Sequence, residues 1–262
     1  MNMKNYISRK LYQPIRSILG IKPNWFYSDL NELLNQKEKN NKVEFDNIII
    51  HPQLKDKFDS AGTMSGHYFH QDLYIAQRIF EENPEKHLDI GSRIDGFVAH
   101  VASFRKIDIM DIRDIKSNVK NINFKKMDLM SEVDFDNDIK YDSISILHAI
   151  EHFGLGRYGD PINYNGHIDA LKNIRKFLTK DGILYISVPF GPQRIEFNAH
   201  RVFSLDYLFK WFSNENFHVK DFSYIDDFGD FHTSTKLSDL DSSNNIRCHY
   251  GCGVFTLILN DE

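Results

Sequence analysis

From His70 onward, short runs of β-branched and apolar residues alternate with segments of helical periodicity, and this alternation constrains the fold more than any other feature. The runs are 87–90 (HLDI), 106–110 (KIDIM), 122–127 (INFKKM), 141–147 (YDSISIL), 183–188 (ILYISV), 217–225 (FHVKDFSYI) and 252–259 (CGVFTLIL). A helix is expected over 72–82, where Ile75 and Ile79 share a face; Asn83-Pro84 ends it, because the residue before proline resists helical geometry. A second is expected over 167–178, with Ile168, Leu171, Ile174 and Leu178 on one stripe, and a third over 204–213 behind Ser204 as N-cap. Strands alternating with helices specify an α/β fold, a doubly wound, mostly parallel sheet covered on both faces. No clear long helix separates the last two runs, so one of those strands is expected to enter antiparallel, making seven in all.

About 200 residues account for this sheet; the first 60 read differently. Up to Lys22 there are five basic residues (Lys4, Arg9, Lys10, Arg16, Lys22) and no acidic ones. Leu30, Leu33 and Leu34 then stand at helical spacing. The expected organisation is an N-terminal helical extension, 1–60, before a domain over 61–262. The basic start suits either docking on an anionic surface or an ordinary packed extension, and the second reading is preferred. The net charge of −5 disfavours a nucleic-acid partner, since phosphate recognition needs a basic surface. Two cysteines build no disulfide framework and read as reduced thiols. A metal site from Cys248, His249 and Cys252 is disfavoured, because no second ligand pair has zinc-like spacing. No apolar run approaches the roughly 18 residues of a membrane span, and the start lacks a signal-peptide stretch. A cytoplasmic location is expected. The oligomeric state stays open, a homo-oligomer included.

In open α/β sheets, ligands bind beyond the carboxyl ends of the strands, near the point where strand order reverses. The first strand runs into Asp89-Ile90-Gly91-Ser92-Arg93; the second ends at Asp111, the third at Asp128-Leu129, and the fourth at His148. Gly91 allows a tight turn and close backbone approach. Asp111, 22 positions after Asp89, could accept both hydrogens of a ribose diol; Asp108 competes but falls inside the strand. Asp128 could accept from an adenine amino group, with Leu129 on the ring. Each aspartate alone could equally be a loop cap; jointly they point to an adenosine ligand. A dinucleotide fingerprint would need glycine at position 93, where Arg93 stands, so a ligand without a pyrophosphate fits better.

These rim residues resemble those of class I S-adenosylmethionine-dependent methyltransferases over about residues 65 to 260. The strings LDIGSRIDGFVAHV, LHAIEHFGLGRYGDP and FNAHRVFS resemble a bacterial family of that fold, long labelled a domain of unknown function and associated with surface-polysaccharide biosynthesis. The resemblance implies a Rossmann-like methyltransferase fold with S-adenosyl-L-methionine as cofactor. Its binding set would be Tyr68, Asp89, Gly91, Ser92, Arg93, Asp111, Asp128, Leu129 and His148. It also implies O-methylation of a sugar, on a nucleotide-activated precursor of capsule or lipopolysaccharide. Arg93 and Asp95 stand where the wider class typically carries more glycines. A non-catalytic binding module, or a methyltransferase for another small metabolite, remains the alternative.

His148-Ala-Ile-Glu151-His152 matches the inverted zinc-peptidase signature H-x-x-E-H, which needs a continuous helix; here His148 directly follows an apolar strand. The same residues resemble the E-x-x-E-H of some ubiquinone-pathway O-methyltransferases, similar to a divalent-metal site, with His148 in place of the first glutamate. A divalent metal on His148, Glu151 and His152 is therefore left open. The following loop places three glycines in six positions beside Arg157, Tyr158 and Asp160, suggesting a mobile rim over the substrate. The loop after the fifth strand holds Arg194, Asn198, His200 and Arg201. Arginine forks bind phosphate, so Arg157, Tyr158, Arg194, Asn198 and Arg201 are the candidate substrate contacts, salt bridges between loops being the alternative. An alcohol acceptor needs a base, and the candidates are His200, His152, Asp160 and Glu151. Histidine has the better ordinary pKa, and His200 is slightly preferred.

Overall fold

The computed structural model describes residues 22–40, 45, 47–116, 118–131, 140–239 and 241–260. The basic start up to Arg16 lies outside them. The chain divides into two compact units between Thr63 and Met64.

The first unit contains helix α1 (Asn24–Lys39), which begins after Pro23 and buries no residue. A single 3₁₀ turn, Asp56–Phe58, follows. Lys57 pairs with Asp29, and its ammonium lies 4.6 Å from the Trp25 ring centroid.

The second unit carries the sheet. Its strands are β1 (His87–Ile90), β2 (Ile107–Asp111), β3 (Ile122–Lys126), β4 (Tyr141–Leu147), β5 (Leu178–Phe190), β6 (Arg194–Glu196), β7 (His200–Val202), β8 (Phe217–Ile225), β9 (Phe231–His232) and β10 (Gly251–Leu259). Eight form one sheet in the order β3-β2-β1-β4-β5-β10-β8-β9, and β6 pairs with β7 as a separate hairpin. The pairings from β3 through β5 are parallel. The last strand, β10, runs antiparallel to both β5 and β8. All seven expected runs are strands. The count is eight because the chain folds back on β8: the Asp226 carboxylate accepts from Phe228 N and Asp230 N, Gly229 takes φ +88°, and β9 pairs at the edge. Two residues are too few to show a period of two.

The main helices are α2 (His67–Glu82), α3 (Ala99–Ala102, entered through a π-turn at Ile94–Val98), α4 (Gly166–Phe177) and α5 (Leu205–Asn214). Asn83 caps α2 at φ +43°, and the Ser204 hydroxyl accepts from Tyr207 N at the start of α5. One core joins Leu88, Ile90, Ile144, Ile146, Leu184 and Ile186 to Leu171 and Ile174 of α4 and Leu208 and Phe212 of α5. The other sets Ile107, Ile109, Tyr185 and Val254 against Ile75 and Ile79 of α2 and Phe97 and Val101. Both faces are thus covered, which is why the inner strands read as apolar runs instead of alternating ones. No helix of the described residues is long and apolar enough to cross a membrane.

Two local expectations change. The segment after β5 is the β6–β7 hairpin, with Asn198 in its turn at φ +61°. His148 has φ +48° and only Ile150–His152 winds into a 3₁₀ turn, so H-x-x-E-H lacks the helix that the peptidase reading requires.

Candidate functional site

The strand order reverses between β1 and β4, and a crevice open to solvent lies beyond their carboxyl ends. Gly91, Met110, Asp111, Ile112, Asp128, Leu129, His148, Ala149 and His152 are among the residues lining it. Gly91 takes φ +67°, and a Cβ there would come 3.1 Å from the Cβ of Ala149 on the opposite wall. Both facts call for glycine.

Asp89 lies beneath this turn. It is buried, and accepts from Ser92 N at 3.1 Å, Ser92 Oγ at 2.6 Å and Ser145 Oγ at 2.6 Å. Burial pushes its carboxyl up to about 7, against the lowering effect of those donors. Ser92 Oγ in turn accepts from Leu147 N. The pair therefore ties β1 to β4 below the crevice floor instead of facing a ligand. Arg93 projects outward in a two-bonded pair with Asp95 (3.2 and 3.1 Å), its guanidinium 5.1 Å from the Tyr68 ring centroid. Neither Arg93, Asp95 nor Tyr68 lines the crevice.

At the end of β2, Asp111 is gripped by Arg113, with Nε–Oδ1 at 2.9 Å and Nη2–Oδ2 at 2.7 Å. The same guanidinium lies 4.4 Å from the Tyr158 ring centroid, so it links the Asp111 rim to the loop after β4. Asp108, inside β2, is engaged by Tyr141 and Asn123 away from the rim. Asp128 accepts from Met130 N (2.9 Å) and Ser131 Oγ (3.0 Å), which fixes the turn that carries Leu129 into the crevice.

After β4 the polar groups converge. His148 Nδ1 lies 2.7 Å from Oε1 of Glu151, whose carboxylate is fully buried. Burial alone would push the Glu151 carboxyl up, but His148 and His152 outweigh it and hold it below the ordinary value. Burial likewise opposes charge on His148, yet Cys252 and Glu151 beside it raise the imidazole above its usual value. His152 Nδ1 is 2.6 Å from Ala199 O; a carbonyl only accepts, so Nδ1 carries the proton and Nε2 is bare in the neutral ring. That Nε2 lies 3.7 Å from Glu151 Oε1. Burial lowers the His152 pKa, keeping the ring neutral near pH 7. His200 is also lowered by burial; its Nε2 lies 3.2 Å from Glu196 Oε2 but out of hydrogen-bond alignment. The two rings are 6.3 Å apart, and of the two only His152 lines the crevice.

The remaining candidates have internal duties. Asp160 Oδ2 accepts from Gly154 N (2.8 Å) and Gly156 N (3.1 Å), and Oδ1 from Tyr158 N (3.1 Å). The expected mobile rim is thus a turn built around one carboxylate. Arg201 is buried and donates to the carbonyls of Glu151, Phe153, Asn163 and Tyr164, holding the loop from inside. Arg194 bonds Glu196 and the carbonyls of Pro192 and His249. Arg157 donates to Ala199 O and stacks on Tyr158. Those partners are the salt-bridge and carbonyl contacts of the alternative reading. Sequence reasoning passed over Arg113, Ile112, Ala149, His67 and Tyr250. Arg113 alone left a signal, two residues past Asp111, the spacing of a carboxylate that caps its own turn.

For metals, among the described residues one group brings its ligand atoms within 4.8 Å of one another: His67, His148 and Cys252. The expected sets of His148, Glu151 and His152, and of Cys248, His249 and Cys252, do not converge in that way.

Solved structures with this architecture include the Burkholderia thailandensis 1,6-didemethyltoxoflavin-N1-methyltransferase with bound 1,6-didemethyltoxoflavin and S-adenosylhomocysteine (15% identity, 72% of this chain and 79% of that one, TM-score 0.51). A putative sarcosine dimethylglycine methyltransferase from Galdieria sulphuraria is similar too (13% identity, 73% and 86%, TM-score 0.50). So is the [4+2]-cyclase SpnF (12% identity, 74% and 81%, TM-score 0.51). Likenesses this distant show the fold alone, that of the class I methyltransferases. A comparison with curated proteins finds no match. A family model described as "Caenorhabditis protein of unknown function" matches residues 98–247. That description carries no link to bacterial surface polysaccharide, and it replaces the bacterial family expected from the sequence strings. With the match spanning more than half of the sequence, on a sheet whose order and antiparallel last strand are those of the methyltransferase fold, the chain belongs to the DUF268 family.

Proposed function

We propose that this chain is an S-adenosylmethionine-dependent methyltransferase acting on a hydroxyl of a small molecule. The observation that carries the reading is the single crevice at the strand reversal, in which Gly91, Asp111, Asp128 and Leu129 share a wall system with His152. Asp111 would accept from the ribose diol in competition with Arg113, and Asp128 and Leu129 would hold the adenine. The cofactor when bound supplies a methyl group on a sulfonium, already an activated leaving group. The chain must then align the acceptor, a contribution on the order of 7–11 kcal/mol, and remove its proton, worth roughly 10²–10⁴-fold. His152 Nε2 takes that proton, and the Glu151 carboxylate beside it stabilises the imidazolium that results. Its place on the crevice wall favours His152 over His200 as base. Tyr158, which lines the crevice, would contact the acceptor, with Arg157 and Asn198 as further acceptor contacts.

The finer reading is a sugar hydroxyl on a nucleotide-activated precursor, handled in the cytoplasm. It is supported by the polar side chains of Asp111, His152, Tyr158 and Asp160 that line the crevice. Mass spectrometry of the purified protein for bound S-adenosylhomocysteine, with calorimetric titration of S-adenosylmethionine, tests the core of the proposal. Asp111→Asn should weaken the cofactor about tenfold or more. Binding without methyl transfer to any nucleotide sugar or other hydroxylated acceptor would favour a non-catalytic module or another reaction on this fold; no binding at all would overturn the proposal.

A further inference from the structure

Beside the crevice, the start of α2, the end of β4 and the start of β10 bring three donor groups together from positions 67, 148 and 252. The ligand atoms of His67, His148 and Cys252 lie within 4.8 Å of one another. The two imidazoles stack at 5.2 Å between centroids, with 10° between their planes. Cys252 is fully buried, and Tyr250 covers His67 at 5.6 Å.

His148 is the informative member. It is 8% exposed, its Nδ1 bonds Glu151, and its Nε2 has no hydrogen-bond partner. A buried ring nitrogen without a partner costs free energy that native interiors seldom tolerate. Its backbone is held at φ +48°, a conformation a non-glycine residue adopts at some cost, fixed by donation of His148 N to Ser187 O at 3.0 Å. Glu151 has an unpartnered oxygen as well, Oε2, and is fully buried. A carboxylate behind one nitrogen of a histidine, with the other nitrogen free, is the outer-shell arrangement that sets imidazoles for metal binding.

We propose that His67, His148 and Cys252 bind one zinc-type divalent ion, with Glu151 as the positioning residue behind His148. Two imidazoles and a thiolate suit zinc and its neighbours better than magnesium or calcium, which require oxygen ligands. Three protein ligands leave one tetrahedral position for water or an acceptor heteroatom, as in zinc sites that do chemistry. His148 itself lines the crevice, so an ion on it would border the space where substrate binds. The proposal does not depend on methyl transfer.

The test uses the full chain stripped with chelator and titrated with cobalt(II), which reports thiolate coordination as a near-ultraviolet charge-transfer band, followed by competition with zinc. One equivalent should bind with that band. Cys252→Ser should remove the band while Cys248→Ser keeps it, and His67→Ala should weaken zinc about tenfold or more, with Glu151→Gln costing about 10–100-fold. Circular dichroism checks that each variant is folded. His67 sits at the partly exposed start of α2, so its variant decides the matter if the Cys252 variant does not fold. No stoichiometric metal, a band that survives Cys252→Ser, or zinc affinity unchanged in His67→Ala would each overturn the site.

Discussion

At the scale of single residues, two histidines and one aspartate carry separable consequences. His152→Ala should reduce methyl transfer by roughly 10²–10⁴-fold while cofactor affinity stays within a few-fold, and His200→Ala should cost far less; initial rates and calorimetry on both variants check this. Equal losses in the two would remove His152 from the role. Asp89 makes a thermodynamic prediction. Its folded carboxyl, raised by burial to about 7 from 3.8, holds a proton that the unfolded chain releases. The folded state's advantage from this group is therefore present at low pH and is lost as pH rises from about 4 towards 7. Urea unfolding at about pH 5 and about pH 8 should show Asp89→Asn gaining relative to the natural chain at the higher pH. The sequence marked Asp89 as a rim residue, and the fold makes it a tie under the rim. The difference lies in Ser145, 56 positions away, which only the β1–β4 pairing brings within 2.6 Å.

At the scale of elements, the loop after β4 shows how three glycines serve one turn. Gly154 takes φ +78°, and a Cβ there would clash with the Asn163 carbonyl; Gly159 takes φ +80° with open space around it. Gly159→Ala should thus cost about 1–2 kcal/mol from the left-handed backbone alone. Gly154→Ala should add about 1–3 kcal/mol of overpacking to that, read as a lower urea midpoint. Helix and strand existence was legible, because periodicity and caps such as Ser204 and Asn83-Pro84 act within a few residues. The β6–β7 hairpin and β9 were not. Strands of two or three residues give no period, and their formation depends on Asn198, Asp226 and Gly229 turning the chain onto an existing neighbour.

At the scale of the whole molecule, both cores draw on residues beyond Met64 only. We therefore expect a fragment of residues 64–262 to unfold cooperatively with the near-ultraviolet signature of the full chain; a non-cooperative melt would refute that division. His87 and His167 are buried, and burial pushes each pKa down to about 3. The unfolded chain takes up protons on these rings near 6.5 while the folded one does not, so their contribution is lost as pH falls below about 6.5.

The sequence by itself determined the class of fold, since an alternation of apolar runs and amphipathic stripes can bury its surface in few ways other than a doubly wound sheet. It also determined the rim positions at which polar residues follow strands. Tertiary structure alone decided which of those residues face the crevice, as Asp111 and Asp128 do, and which hold the scaffold, as Asp89 and Arg201 do. It alone assembled His67, His148 and Cys252, which are 81 and 104 positions apart along the chain. Local preferences are set by neighbours a few residues away; the meeting of side chains across such distances is set by strand order, which no short window contains.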